Sequence, residues 1–391
     1  MEPDIFELSR VTLKHKEESF TCMNDDSLLA FPMHGQLKLL SEGYRTRDGH
    51  LIEWFARLNG DSGPVAVLSR PEPLMLRPLT TKIRRKSPAP NTRAVDSYSW
   101  HVPNIRDRRS WWVQSRNSYV LPPSSQGVPG VIWNPLVGIS NIWEELRDNR
   151  RKIAVDLLDD WTVHYAFQSI RAHVEQGYRN IFDRAELVTA NAEGTLELAH
   201  RFGRSDAVLL TNGVDPDRFE QSPTASGRIT VGYVGKIGKR VNLKLVEECA
   251  RSLPSIDFVF AGPILDKDYR PALEALENVV LLGDVHYEDV PQLLKTFDIG
   301  WVPHNVGEFE VGGDVIKTYE YRAAHLPVLS TPVAGAGQRD LESVYVVPAE
   351  GHASWLKAKT DGKSRIDREP GEIPVQHTWK DKAQHILSEL Y

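Results

Sequence analysis

The sequence is short of cysteine. Cys22 and Cys249 are its only two, far apart and in unlike surroundings, which excludes a disulfide framework and a cysteine-built metal site and fits a reducing compartment. Long apolar runs are missing as well, since no stretch reaches the roughly eighteen residues that cross a bilayer. Residues 1–10 carry acids where a secretory leader carries bases, so a cytoplasmic protein is expected. Nor is there a large excess of one charge: the formal net charge is -6 over 391 residues, which gives no general reason to expect nucleic-acid binding. What is present is ordinary globular composition, 41% apolar and 26% charged. The length exceeds what a single core usually serves, so two domains are expected.

The first half is only partly periodic. An apolar run over 27–32 reads as a strand that breaks at Met33-His34-Gly35-Gln36, with Leu37, Leu39, Leu40 and Tyr44 lining a helix after it. Gly49-His50 then leads into an expected strand over 51–55, and further strands are expected over 65–68, 131–133 and 152–158. The last of these ends in Asp159-Asp160-Trp161, before a helix. A strand over 185–190, a helix over 192–202 and a short strand at 208–210 follow. Between 70 and 125 no period is visible. The turn Asn212-Gly213-Val214-Asp215-Pro216 marks a domain boundary.

From Arg228 onward strands and helices alternate regularly. Strands are expected over 229–234, 257–261, 279–282, 299–302, 328–330 and 344–347, with helices over 242–253, 271–276, 290–297 and 315–324 between them. Such alternation implies a parallel sheet covered on both faces, with ligands bound beyond the carboxyl ends of its strands. A last helix, 379–390, is expected to pack back on the first domain. The division is therefore 1–211, 212–372 and a returning segment, 373–391.

Two motifs carry chemistry. Gly232-Tyr233-Val234-Gly235-Lys236 sits between a strand and a helix, where glycine lets a ligand approach the backbone and helix-start N–H groups favour phosphate. Lys236, Lys239 and Arg240 add positive charge at the same mouth. The competing reading is a tight packing turn with solvated lysines. The second motif is Gly312-Gly313-Asp314-Val315-Ile316-Lys317-Thr318-Tyr319-Glu320-Tyr321, followed by Pro327-Val328. Lys317 and Glu320, three apart, share one helix face. An ammonium there suits a phosphate and a carboxylate suits ribose hydroxyls; an exposed salt bridge is the bland alternative.

These motifs, with Asn212-Gly213-Val214-Asp215, Phe260-Ala261-Gly262-Pro263, Gly283 and Asp298-Ile299-Gly300, resemble the retaining, family-4-type (group 1) glycosyltransferases of the GT-B fold, and in particular bacterial cell-surface polysaccharide enzymes. The resemblance implies an α/β protein of two Rossmann-like domains whose parallel sheets face a central cleft. It implies transfer of a sugar from a nucleoside diphosphate sugar to a hydroxyl, with no cofactor beyond that substrate and no metal. Lys236, Lys317 and Glu320 become the candidate catalytic residues. Gly35, Gly235, Lys239, Arg240, Gly262, Gly313, Asp314, Val315, Ile316 and Tyr319 become candidate donor contacts. One departure stands out: the family's first glutamate lies eight positions before Glu320, where this chain has Gly312, with Glu308 and Glu310 as the nearby carboxylates. Retaining and inverting chemistry both stay open.

On the acceptor side the candidates are His34, as a general base, and Asp159 and Asp160, which end a strand at the same rim. Each has a structural alternative, a helix cap for the aspartates. Residues 70–119 hold eleven Lys or Arg against three acids, interleaved with Trp100, Trp111, Trp112 and Tyr119. That pattern suits an anionic membrane surface or a lipid-linked phosphate acceptor, with nucleic acid as the rival ligand and an ordinary solvated loop as the bland alternative; its position in the expected acceptor domain favours lipid phosphate over nucleic acid, and a cytoplasmic enzyme peripheral to the membrane is expected. Two other readings remain: a nucleotide-sugar epimerase of the same architecture, and a catalytically inactive binding subunit.

Overall fold

The computed structural model describes residues 26–76, 89–123, 125–148, 150–219, 222–307 and 313–391. Cys22, Glu308, Glu310, Gly312 and residues 77–88 of the basic stretch lie outside them.

Two all-parallel sheets organise the chain. The first has strands β1 (Leu28–Phe31), β2 (Val65–Leu68), β3 (Thr92–Val95), β4 (Gly130–Ile132), β5 (Ile153–Leu157), β6 (Leu187–Ala190) and β7 (Val208–Leu209), in the order 3-2-1-4-5-6-7. The second has β8 (Thr230–Val234), β9 (Asp257–Ala261), β10 (Val279–Gly283), β11 (Ile299–Val302), β12 (Val328–Ser330) and β13 (Val344–Val346), in the order 10-9-8-11-12-13. Each is a doubly wound arrangement whose order reverses beside its first strand, and a crevice opens at that reversal. Central strands such as β1 (Leu-Leu-Ala-Phe) are buried at every position, because helices cover both faces.

Helices follow from their apolar spacing. In the helix Leu243–Ser252, Leu245, Val246, Cys249 and Ala250 turn inward, and the Asn242 side chain caps the start by accepting from the Leu245 N–H at 3.0 Å.

One expectation is overturned. Residues 51–55 are not a strand but the middle of a helix, α2 (Arg47–Asn59), which follows α1 (Gln36–Glu42). Leu51, Ile52, Phe55 and Ala56 recur at helical spacing and are all buried. Gly49, read as a strand approach, is instead demanded by packing: a Cβ there would lie 2.7 Å from the Tyr44 carbonyl oxygen.

The chain crosses between the domains twice, side by side. Val214 and Thr378 form a parallel bridge, with the Val214 N–H donating to the His377 carbonyl at 2.9 Å and the Trp379 N–H to the Val214 carbonyl at 3.1 Å. The last helix, α3 (Trp379–Leu390), buries Trp379, Ala383, Ile386 and Leu390 in the first domain's core. Each large apolar side chain of that face contributes roughly 1.5–3 kcal/mol. Trp379 stacks on His50 of α2 with ring centres 4.8 Å apart.

At the base of the cleft sits a buried polar hub. Arg47 makes a bidentate pair with Asp156, at 2.8 and 2.7 Å, and its remaining donors reach the Thr211 carbonyl and Asn212 Oδ1, each at 3.1 Å. Trp133 and Thr189 complete the Asp156 carboxylate at 2.6 and 2.5 Å. Asn212 in turn binds Asp314 across the domains.

Candidate donor and acceptor sites in the interdomain cleft

The second-domain face is built on two strand ends. β8 stops at Val234 and β9 at Ala261, and the glycines that follow, Gly235 and Gly262, both have φ +149°. A Cβ on Gly262 would stand 1.9 Å from the Gly235 carbonyl oxygen, so these turns close only without side chains. Gly235 also leaves room for Lys317, whose Cε would be 3.1 Å from a Cβ there.

Lys317 lies in the first turn of the helix α(316–323), which spans Ile316–Ala323. Its ammonium is 5.2 Å from the centre of the Tyr233 ring. Burial brings its pKa down to about 8, against the pull of Glu320. Glu320 is buried and is pushed up to about 7 by that burial, with Lys317 and Tyr287 opposing the rise. Among the described residues its carboxylate has no salt-bridge partner within 4 Å. His304 approaches the Tyr233 hydroxyl at 3.3 Å and is held neutral by burial and by Lys317 and Arg240.

Lys236 projects to the same opening. Burial depresses its pKa, Lys38 adds to the effect, and Glu42 and Asp48 of the first domain oppose it. Arg45, from the turn between α1 and α2, is an electrostatic neighbour of both Lys236 and Glu320. It also ties the cleft shut by donating to Asp284 at 2.8 Å. Gly235, Gly262, Lys236, Lys317 and Glu320 are thus brought together, with Arg45 facing them.

The first-domain face starts at the end of β1. His34 Nδ1 lies 3.1 Å from the fully buried Asp48 carboxylate, whose pKa falls to about 2; burial opposes that fall, and His34 and Thr46 outweigh it. Gly35 follows, and the Gln36 N–H donates to Ser69 Oγ at 2.7 Å. Asp159 lies two residues past the end of β5 and pairs with Arg240 across the cleft at 3.0 Å; burial raises its pKa while Arg240, His34 and Lys236 lower it. Gly313 is seated here too, since a Cβ on it would lie 2.9 Å from Asp159 Oδ1.

Other candidates stand elsewhere or serve the scaffold. Asp160 accepts from the Thr162 N–H at 2.9 Å and pairs with Arg201, so it braces the turn after β5, while His164 and not Asp160 caps the helical segment Tyr165–Ile170 that follows. The Asp314 carboxylate accepts from the Asn212 N–H at 2.9 Å and from the Tyr319 hydroxyl at 2.6 Å, and Arg339 approaches it at 3.4 Å. Asp314 and Tyr319 therefore hold the interdomain crossing. Val315 stands at the N-cap position of the helix without a side-chain cap, and Ile316 packs against the first domain's core. Lys239 is exposed, with its ammonium 5.5 Å from the Tyr165 ring centre.

Arg45, Tyr233, His304 and Tyr287 were not among the sequence candidates. His304 was within reach, because it follows β11 directly at the ligand end of the sheet. Arg45 was not, because Glu42, three residues before it, makes it look like a local ion pair, while Asp284, which it meets across the cleft, lies in the other domain.

Two doubly wound parallel sheets facing each other across a cation-lined cleft, with the last helix returned to the first domain, are the GT-B arrangement of glycosyltransferases. Residues 228–359 match the family model described as glycosyl transferases group 1, within the stretch that carries the resemblance read from the sequence, and that resemblance holds. Over 251 residues the chain is 24% identical to TuaH of Bacillus subtilis, whose assigned role is that of a glycosyltransferase in teichuronic acid biosynthesis. That alignment covers 58% of this chain and 61% of TuaH, less than two thirds of the relative's length. In structure the chain is similar to HepE of Anabaena, solved in complex with UDP and glucose, at TM-score 0.58 and 15% identity, over 94% of this chain and 96% of that one. It is also similar to the alpha,alpha-trehalose 6-phosphate synthase of Burkholderia multivorans, at TM-score 0.56 and 11% identity, over 94% and 95%. These two likenesses concern the fold. Among the described residues no helix is long and apolar enough to cross a membrane.

Proposed function

We propose that this protein moves a sugar, with retention of configuration, from a nucleoside diphosphate sugar to a hydroxyl of a glycan or lipid-linked glycan, in the synthesis of a cell-surface polysaccharide. The observation that carries the reading is the convergence of Lys236, Lys317 and Glu320 behind the glycine turns at Gly235 and Gly262. In this reading Lys317 and Lys236 stabilise the departing diphosphate, helped by N–H groups at the start of the helix that carries Lys317. Glu320 accepts from the ribose hydroxyls, and Gly35 offers backbone to the donor from the opposite face. Arg240 and Asp159 close the outer rim, where exclusion of water limits donor hydrolysis. The donor is a substrate, so the reaction needs no resident cofactor, and the lysines supply the charge a metal would otherwise bring.

The UDP and glucose held by HepE make UDP-glucose the first donor to try. The enzyme works at the cytoplasmic face and touches an anionic membrane through the loop after residue 99, where Trp100, Val102 and Ile105 are 87%, 74% and 87% exposed beside Arg106 and Arg108.

A thermal-shift screen of UDP, GDP, dTDP and ADP tests the donor side. Ligand at a hundred times its Kd should add roughly 2.7 kcal/mol of apparent stability. No shift with any of the four would sink the assignment. Labelled donor incubated alone separates the rivals, because an epimerase makes a new sugar nucleotide with no acceptor and an inactive subunit only binds. The anomeric configuration of the product, read by NMR, decides retention.

A further inference from the structure

Beyond the donor pocket, the first-domain rim holds two arginines that the scheme above does not use. β2 ends at Leu68, and the chain passes through Ser69, which anchors the Gly35 loop, directly to Arg70. The Arg70 guanidinium lies 4.2 Å from the centre of the Trp112 ring. Arg109 approaches the same ring at 5.9 Å and the Phe167 ring at 4.8 Å. Two guanidinium groups therefore converge on one aromatic surface.

Among the described residues neither has its donors fully used. There Arg70 meets Glu72 only at 3.7 Å, and its Nε is buried with no hydrogen-bond partner. For Arg109, burial and the neighbouring Arg70 both disfavour the charge, and the group that favours it is Tyr165. Among the described residues no carboxylate pairs with Arg109.

Two like charges held together with idle N–H groups are unfavourable while the site is empty, and an anion placed between them reverses the sign. Stacking on an aromatic face leaves the in-plane N–H fork free, the geometry that matches a carboxylate or phosphate. The patch is also continuous with the cleft. Tyr165 stacks on His164 at 4.7 Å and lies under Lys239, and Arg240 next to it grips Asp159.

We propose that Arg70 and Arg109, over Trp112 and Phe167, form an anion subsite that holds a carboxylate or phosphate of the acceptor, separate from the place of the donor diphosphate. The word acceptor rests on the proposed glycosyl transfer; the anion site itself does not. Calorimetric titration of the whole protein with glucuronate and with inorganic phosphate, at constant ionic strength and with glucose as neutral control, tests it. Binding should persist in Lys317→Ala and weaken about tenfold or more in Arg109→Gln, the loss of one charge-assisted contact. Arg70→Gln should behave likewise, and melting curves for each variant show that it is folded.

Preference for glucuronate marks a uronate acceptor and preference for phosphate a phosphorylated one; either supports the site. Three results overturn it: wild-type protein binding neither anion better than glucose, a folded Arg109→Gln that binds both as wild type does, or Lys317→Ala losing as much as Arg109→Gln. If the nucleotide screen fails while anion binding holds, the transferase reading falls and the site stands.

Discussion

Two buried cations, Arg47 and Lys317, show how this molecule separates holding itself together from holding something else. Arg47 at the base of the cleft has a bidentate carboxylate partner, and further acceptors take its other donors. Lys317 at the mouth has burial, an aromatic ring and a carboxylate that titrates near neutrality, with no salt bridge among the described residues. A cation whose every donor is engaged stabilises the fold, and one left short of partners is ready for a ligand. The same distinction places Asp160 and Asp314 with the scaffold, although both stand in motifs that suggested a site.

The contrast can be broken by substitution. Arg47→Ala should cost the most, about 3–5 kcal/mol of stability, because Asp156 would be left charged and unpaired in the interior; chemical denaturation measures it, and a loss below about 1 kcal/mol would dissolve the contrast. Lys317→Ala should leave the unfolding transition near its wild-type position while cutting turnover about 10²–10³-fold. Near-normal transfer by that variant would remove Lys317 from the chemistry.

Acidity sharpens the same comparison with a smaller effect. Lys317 has a folded-state pKa of about 8, below the ordinary 10.5, so the unfolded chain holds more protons between those values and stability rises with pH across that window. Glu320 shifts the other way, from 4.5 to about 7, so its contribution is fully present below pH 4.5 and is lost as pH climbs to 7. Diphosphate binding needs the charged lysine and should weaken up to about tenfold per unit above pH 8. Titration calorimetry of UDP from pH 6.5 to 9.5 reads this, and Lys317→Arg should flatten the profile.

The smallest effect is expected at the exposed loop. Trp100→Ser combined with Arg106→Glu and Arg108→Glu should reduce co-sedimentation with phosphatidylglycerol-containing vesicles about tenfold, and most at low salt. Equal binding by the variant would leave the loop without a membrane role.

The second domain was legible because its strands are short, apolar and separated by helices of clear period. β9, β11 and β12 fall on the residues where the periodicity put them. The first domain was harder, and α2 shows why. The segment Leu51-Ile52-Glu53-Trp54-Phe55, four of its five residues apolar, looks like a strand until the positions around it are counted at helical spacing, and Gly49 misleads further by acting as a packing residue. The Arg47–Asp156 hub left no local trace, since its members are 109 positions apart. At the site, the residue types at the strand ends were readable. Which carboxylates face the ligand and which brace the crossing depended on contacts between domains, which no motif records.

The bridge between Val214 and Thr378 limits how the cleft can open. A lone linker would let one domain twist, slide and swing relative to the other. Two linkers laced together by main-chain hydrogen bonds behave as a strap with width, stiff against torsion and free only to flex about the line joining its edges. The pairs Arg45–Asp284 and Arg240–Asp159 stand on the far side of the cleft mouth from that strap, so a flexing strap would load them first.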